Sequence, residues 1–341
     1  MRRYLPTYDL ATRYREQAVD FAGHRVLLTN FAGTQQEGDL TERPNCRGFG
    51  RIRHFNRKKT NSWVDNPLPI DPAAKALGCP PTDQLRVQVF QNAVCNWRCW
   101  YCFVPFTLLD ANKQHSSMMT CRELIQLWLA EPNRPHVIDL TGGQPELVPE
   151  WVLWMMHELR EANVERTVYL WSDDNLSGDY FWDALSSEDR KFITSYPKYG
   201  RVCCFKGFNE DSFCFNTTAP PEEHSRQFER MGKLIATGLD LYGYVTLTTP
   251  HTKDLNDQIS RFVDELQELD ENLPLRTVPL EIDTFIPTAF RMNEQRKTAL
   301  DNQYRALDAW QRIVESRFST EMRSSHICDV PLWGKVRHVS L

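Results

Sequence analysis

Short apolar runs and helical stripes alternate along most of this chain. The runs Leu85–Val89, Val137–Leu140, Thr167–Trp171, Val202–Phe205, Leu241–Leu247 and Thr277–Ile286 predict strands. Between them, apolar positions recur at three- and four-residue steps, as one buried face of a helix requires. Val148, Val152, Met155, Met156 and Leu159 form one stripe, and Phe228, Met231, Leu234 and Ile235 another. Ile259, Phe262, Val263, Leu266 and Leu269 make a third; Leu300, Tyr304, Leu307 and Val314 make a fourth. Thr120 and Glu123 have the spacing of a capping box and open the first helix of the series. After Trp171 the helical piece is shorter. Strands that alternate with helices imply a parallel sheet with right-handed crossovers, either curled into a barrel or open and doubly wound.

Residues 1–84 keep neither period for long. Tyr8–Phe21 predicts a helix and Arg25–Phe31 a strand, followed by a polar stretch and Pro-rich spacing around Asn66–Pro81 that reads as an irregular linker. The expected organisation is an N-terminal extension of mixed or irregular structure over 1–84, an α/β core over 85–317 and a C-terminal tail over 318–341. Within the extension, Arg51-Ile52-Arg53-His54-Phe55-Asn56-Arg57-Lys58-Lys59 is basic with an aromatic interleaved. Such a run can neutralise phosphates and stack a base. Its plainer reading is a solvated strand or loop, and nucleic acid is not the preferred partner.

Length and charge narrow the class only a little. A chain of 341 residues suits one large α/β domain, or one domain with an extension. A net charge of −5 argues against a surface built wholly for nucleic acid. No apolar stretch approaches the roughly 18 residues that span a bilayer. The start, Met1-Arg2-Arg3-Tyr4-Leu5-Pro6, lacks an apolar signal core, so the expected location is cytoplasmic and no membrane partner is expected. In that compartment the 10 cysteines read as metal ligands and buried thiols rather than disulfides.

Three of them, Cys95, Cys99 and Cys102, stand in C-x3-C-x2-C spacing just after the first strand of the core. Zinc would need a fourth ligand, usually from a second paired motif that this chain lacks. Three buried thiols are the other plain alternative, but Asn96 and Arg98 between them make poor core patterning. Cubane iron–sulfur clusters are normally held by four thiolates, so three would leave one iron open to a reactant. Thr141-Gly142-Gly143-Gln144-Pro145-Glu146 follows the second strand. Both segments therefore fall at C-terminal strand ends, where parallel α/β folds build their sites.

The triplet, the aromatic Tyr101 before its third cysteine and the glycine pair resemble the signature of the radical S-adenosylmethionine (radical SAM) superfamily over about residues 85–317. The resemblance implies a partial (β/α)6 TIM-type barrel, a [4Fe-4S] cluster on Cys95, Cys99 and Cys102, and S-adenosylmethionine chelated to the open iron. It implies reductive cleavage to a 5′-deoxyadenosyl radical that abstracts hydrogen from a substrate, with an electron donor such as flavodoxin or ferredoxin. Tyr101, Gly142, Gly143, Gln144 and Pro145 fall among the cofactor contacts, the backbone of Gly142–Pro145 binding the methionyl amino group. Gln144 stands where the family usually has Glu, so any role of that carboxylate is not carried over.

Further contacts are placed by strand position. Ser172 and Asp173 end the third strand and are candidates for the ribose hydroxyls, or simply cap the chain. Lys206 ends the fourth strand, in reach of the methionyl carboxylate if it points into the barrel. Glu281 and Asp283 share one face of the sixth strand by their spacing and are substrate candidates if that face is the lumen, salt-bridge partners if it is not. Cys203 and Cys204 are adjacent on a strand and face opposite ways, which argues against a second cluster formed with Cys214 and Cys328. The resemblance leaves the reaction open between direct modification of a small molecule, RNA or peptide and, as the alternative, installation of a glycyl radical in a partner protein. Phe103-Val104-Pro105 after the triplet departs from such activases and favours direct modification.

Overall fold

Seven strands in one curled sheet organise the computed structural model, which describes residues 4–334. In chain order they are β1 (Gly50–Asn56), β2 (Gln84–Gln91), β3 (Val137–Thr141), β4 (Tyr169–Asp174), β5 (Tyr199–Phe205), β6 (Leu241–Thr246) and β7 (Thr277–Leu280). Their spatial order is β7-β6-β5-β4-β3-β2-β1. Strands β2 to β7 run parallel, and β1 is antiparallel at the edge. All six parallel strands lie where the apolar runs place them. The architecture is a partial TIM-type barrel.

Helices surround the sheet. They include α1 (Thr7–Ala18), α2 (Ile70–Leu77), α3 (Cys121–Ala130), α4 (Glu150–Glu161), α5 (Ser187–Thr194), α6 (Glu210–Thr217), α7 (Glu222–Ile235), α8 (Leu255–Leu269) and α9 (Glu294–Arg317). The capping box on α3 is formed: the Thr120 hydroxyl accepts from the Glu123 amide, and the Glu123 carboxylate accepts from the Thr120 amide. The four apolar stripes lie on α4, α7, α8 and α9, and most of their residues join the core between helices and sheet. Both faces of the central strands are buried, as a parallel sheet covered on both sides requires.

The inner face forms a second, smaller core. Val87, Val137, Tyr169, Trp171, Val202, Tyr242 and Tyr244 meet Phe55, Leu68, and Ile70 and Ala73 of α2 there. Because Val137 and Tyr169 begin their strands and Val87 lies in the first half of its own, this apolar plug fills the N-terminal end of the barrel and leaves the C-terminal end for chemistry.

The extension shapes the barrel more directly than its composition suggested. The expected helix Tyr8–Phe21 is α1, and Arg25–Thr29 is a strand of a small antiparallel sheet with Val19–Asp20 and Ser116–Thr120. The basic run holds β1, which extends the barrel sheet. The segment after it crosses from β1 to the opposite edge strand, β7. Trp63 Nε1 donates to the Pro279 carbonyl at 3.0 Å, Asn66 Nδ2 donates to the Tyr244 hydroxyl at 3.1 Å, and Lys59 pairs with Asp283. This crossing bridges the gap that six parallel strands leave.

One strand differs from its expected length. β7 stops at Leu280, so Glu281 and Asp283 lie beyond it and their two-residue spacing sets no common face. Pro279 supplies no amide to extend the ladder, and Pro287 sits in the helical turn Ile286–Ala289 that follows. Residues 335–341 of the expected tail lie outside the described residues.

The crossing segment makes a test. Trp63 is buried against the core and holds the extension to β7. Trp63→Ala is expected to destabilise the fold by about 3–5 kcal/mol in urea unfolding. A loss below about 1 kcal/mol would mean that the bridge is dispensable.

Candidate active site

The three cysteines sit in an irregular loop between β2 and the small-sheet strand Ser116–Thr120. An irregular loop leaves backbone groups without ladder partners, and buried ones must be paired elsewhere. The amides of Arg98 and Trp100 donate to the carbonyls of Thr217 and Asn216 at the end of α6, at 3.2 and 3.1 Å. Trp100 Nε1 adds a bond to Asn216 Oδ1 at 3.0 Å. Two guanidinium groups satisfy the loop's carbonyls. Arg98 donates to the Cys95 and Trp97 carbonyls and to the Tyr14 hydroxyl of α1, and Arg291 donates to Cys102 O at 2.8 Å and Val104 O at 2.9 Å. Arg291 had no sequence signal, because it lies far along the chain from the loop it braces.

The glycine turn after β3 packs directly on this loop. Gln144 N donates to the Val94 carbonyl at 2.8 Å, and Asn92 Nδ2 donates to the Gln144 carbonyl at 3.0 Å. A Cβ on Gly143 would run into the Val94 carbonyl oxygen and lie 2.6 Å from that of Asn92. Gly142 has φ +91°, a conformation that glycine alone adopts freely. Both glycines are thus required by the contact between the two strand-end segments.

Gln144, which departs from the glutamate expected at this position, has a local reason to be an amide. Its Nε2 donates to Asp174 Oδ1 at 2.9 Å, and its Oε1 accepts from the Asn175 amide at 3.0 Å. A glutamate there would place a second carboxylate against Asp174. Arg201, fully buried, pairs with Glu146 at 2.9 Å and lies 3.7 Å from Asp174, tying the turn to β5.

Alternation along β4 separates two residues that sequence position had grouped. Asp173 faces the barrel interior, where it accepts a hydrogen bond from Thr141. Ser172 faces the opposite way: its hydroxyl lies 2.7 Å from that of Tyr199, on the helix side of the sheet. Ser172 therefore does not reach a ligand in the lumen.

Lys206 is on the interior side. Burial opposes its charge, but the neighbouring Cys204, Tyr101 and Cys99 outweigh that and hold its pKa above the usual lysine value. Tyr101 is buried with its hydroxyl 3.0 Å from that of Thr246. Pro145 begins a 3-10 turn that seats Glu146 for Arg201. Glu281 is buried below the crossing segment, accepting from Thr60 at 2.9 Å and Tyr304 at 3.3 Å, while Asp283 is half-exposed and paired with Lys59. Asp283 is thus occupied by its ion pair, whereas Glu281 keeps its Oε2 buried without a hydrogen-bond partner among the described residues.

The basic run is dispersed rather than solvated as a patch. Arg51 and Arg53 point into the barrel, His54 lies 3.3 Å from Glu42, Arg57 pairs with Asp71, and Lys59 with Asp283. Among the described residues the run therefore does not form one continuous basic face. Inside, Arg51 and Arg53 come near Asp139 and Asp173. Burial, then the neighbouring Asp173, raises the pKa of Asp139 well above the carboxylate range.

The candidate donor set is three thiols with cations around them. Burial pushes the three thiols up, Cys99 to about 12, while cationic Lys206, Arg98 and Arg291 oppose the rise at one or more of them. Cations here would offset the negative charge of cluster thiolates, whose protons must leave on loading. Asn175 Nδ2 reaches the Cys95 sulfur at 3.8 Å. Among the described residues no three His, Cys, Asp or Glu side chains gather closely enough to hold a single metal ion. Cys203 lies in the outer core and Cys204 in the inner one.

No family model matches the chain, and no curated protein does. Among solved structures it is similar to Streptococcus suis SuiB. The structure bound to S-adenosylmethionine gives a TM-score of 0.36 at 12% identity over 52% of this chain and 36% of SuiB. The structure bound to precursor peptide SuiA gives 0.36 at 14% identity over 52% and 35%. This chain thus matches only about a third of SuiB's length, and what its site does has to be read from its own residues. No helix of the described residues is long and apolar enough to cross a membrane.

Two substitutions test the site's electrostatics. Gln144→Glu is expected to cost about 1–3 kcal/mol at pH 8 and less at pH 5, where protonation of the introduced carboxyl relieves the repulsion. Equal losses at both pH values in urea unfolding would contradict the placement. For Asp139, a raised folded pKa means that its contribution to stability is complete below the unfolded value and is lost as pH rises through the folded one. Asp139→Asn should therefore flatten the fall in stability with pH above about 4. An unchanged pH profile would show that Asp139 is not desolvated.

Proposed function

We propose that this chain is a radical SAM enzyme that modifies its substrate directly, with a [4Fe-4S] cluster on Cys95, Cys99 and Cys102 and S-adenosylmethionine bound between that cluster and the turn Gly142–Pro145. When bound, the pair supplies a 5′-deoxyadenosyl radical for hydrogen abstraction. The observation that carries the reading is the bond from Gln144 N to Val94 O, which fuses the three-cysteine loop and the glycine turn into one surface.

This chain's part is to hold and to exclude, since the cofactor carries the difficult chemistry. Arg98 and Arg291 fix the carbonyls of the cysteine loop, so the thiols keep their positions without a regular element beneath them. Lys206 offers its ammonium to the methionyl carboxylate. Asp173, oriented by Thr141, is the acceptor for ribose hydroxyls, without Ser172. Tyr101 closes the wall beside Thr246. The apolar plug at the barrel bottom and the segment bridging β1 to β7 keep bulk water from a reactive intermediate. The electron comes from a donor of the flavodoxin or ferredoxin type. The substrate is a small molecule, RNA or peptide, and the enclosed lumen favours the small molecule.

Anaerobic reconstitution should load about four irons per chain. Addition of dithionite and S-adenosylmethionine should then yield 5′-deoxyadenosine, detected by chromatography. Cys99→Ala should lower that yield by at least a hundredfold. Undiminished cleavage in that variant would overturn the ligand assignment.

A further inference from the structure

The barrel interior contains charged groups whose hydrogen-bonding capacity the protein itself does not fill. Strand register aligns Arg51 with Val89, Val89 with Asp139, and Asp139 with Trp171. Side chains of neighbouring strands in register share a face, and Trp171 belongs to the inner core, so the whole row looks into the lumen. Arg53, two residues on, shares that face.

Arg51 is 5% exposed, and its Nε and Nη2 find no hydrogen-bond partner among the described residues. Asp139 is 0% exposed, and neither of its carboxylate oxygens is bonded. No carboxylate lies within ion-pair distance of Arg51 among the described residues, although Asp139 and Asp173 act on it from farther off. Aromatic rings hold both guanidinium groups in place. Arg51 lies 5.1 Å from the Phe103 ring centre and 5.9 Å from that of Phe31; Arg53 lies 4.0 Å from that of Phe55 and 5.9 Å from that of Phe103. Phe103 directly follows Cys102, so the two cations sit next to the cysteine loop.

Burying a cation without bonding it is costly, and buried charges are normally paired. A fold that needed only volume at these positions would be better served by apolar residues. Arginine also presents a planar fork suited to two oxygens at once, unlike a lysine point charge. The cationic groups Arg51, Arg53 and Lys206 outnumber the facing carboxylates Asp139 and Asp173.

We propose that Arg51 and Arg53 form the substrate-recognition site of the barrel, binding an oxyanion, carboxylate or phosphate, of a small-molecule substrate, with Asp139 bonding a hydroxyl or amine of the same molecule. This rests on the radical SAM reading for the identity of the reaction but not for the anion site itself. The extension thereby sets specificity: it supplies from β1 a pair of groups that the six parallel strands lack. Enclosure of the row within the barrel selects a small molecule over a polymer backbone.

The test uses the full reconstituted chain, titrated with sodium phosphate and sodium acetate at constant ionic strength while the thermal unfolding midpoint is followed. At least one anion should raise the midpoint of the wild type, and the one acting at lower concentration distinguishes phosphate from carboxylate. Arg51→Gln and Arg53→Gln should each need at least tenfold more of that anion for half the effect. The effect should persist with S-adenosylmethionine at saturation. Loss of it there would assign the arginines to the cofactor carboxylate and overturn the proposal, as would equal titrations of variants and wild type or no anion effect on the wild type. Without ligand, Arg51→Met should unfold at or above the wild-type midpoint; a clear fall would make the guanidinium structural and also overturn it. An anion effect in a protein that never yields 5′-deoxyadenosine would retain this site and reject the proposed chemistry.

Discussion

One backbone hydrogen bond, from Gln144 N to Val94 O, carries the arrangement on which the candidate active site depends. It forms only because residue 143 has no Cβ to strike the carbonyls of Asn92 and Val94. Through it the end of β2 and the end of β3 become one surface: the cysteine loop on one side, a glycine turn on the other. Gln144 then extends the tie to Asp174 and Asn175 at the end of β4, so three successive strand ends are joined by bonds of one residue. A glutamine suits this junction because it donates to a carboxylate and accepts from an amide simultaneously.

Below that surface the barrel is layered by polarity. The N-terminal end is filled by apolar and aromatic side chains, and the C-terminal half carries Arg51, Asp139, Asp173 and Lys206 near the cysteine loop. In a low-dielectric interior, charges left without partners are expensive. Arg51 and Asp139 are such charges, and their place beside the three-cysteine loop separates this interior from an ordinary barrel core. The extension is part of it, closing the gap between edge strands while projecting two arginines inward.

The sequence made the architecture legible where the signal was local. Six strands and four helical stripes were readable because continuous apolar runs and period-3.6 stripes are each visible within a few residues. The cysteine loop and glycine turn were readable because their chemistry is carried by neighbours in the chain. What escaped was set by distant contacts. Ser172 and Asp173 look alike in sequence, and only strand register decides which faces the lumen. The end of β7 was misjudged because apolar residues continue past Leu280 after the ladder stops, which removed Glu281 and Asp283 from the expected face. Arg291 braces the loop from the far end of the chain. The basic run read as solvated because charge in an irregular-looking extension ordinarily is; that Arg51 and Arg53 turn inward depends on β1 pairing with β2.

The central claim is that Cys95, Cys99 and Cys102 hold a cluster whose open iron is reached by S-adenosylmethionine lying on the glycine turn. Electron paramagnetic resonance of the reconstituted, reduced protein, recorded with and without S-adenosylmethionine, tests it most directly. The account expects a reduced four-iron signal whose g-values shift when S-adenosylmethionine is added. A protein that shows no such signal, or one whose signal is indifferent to S-adenosylmethionine, would contradict it.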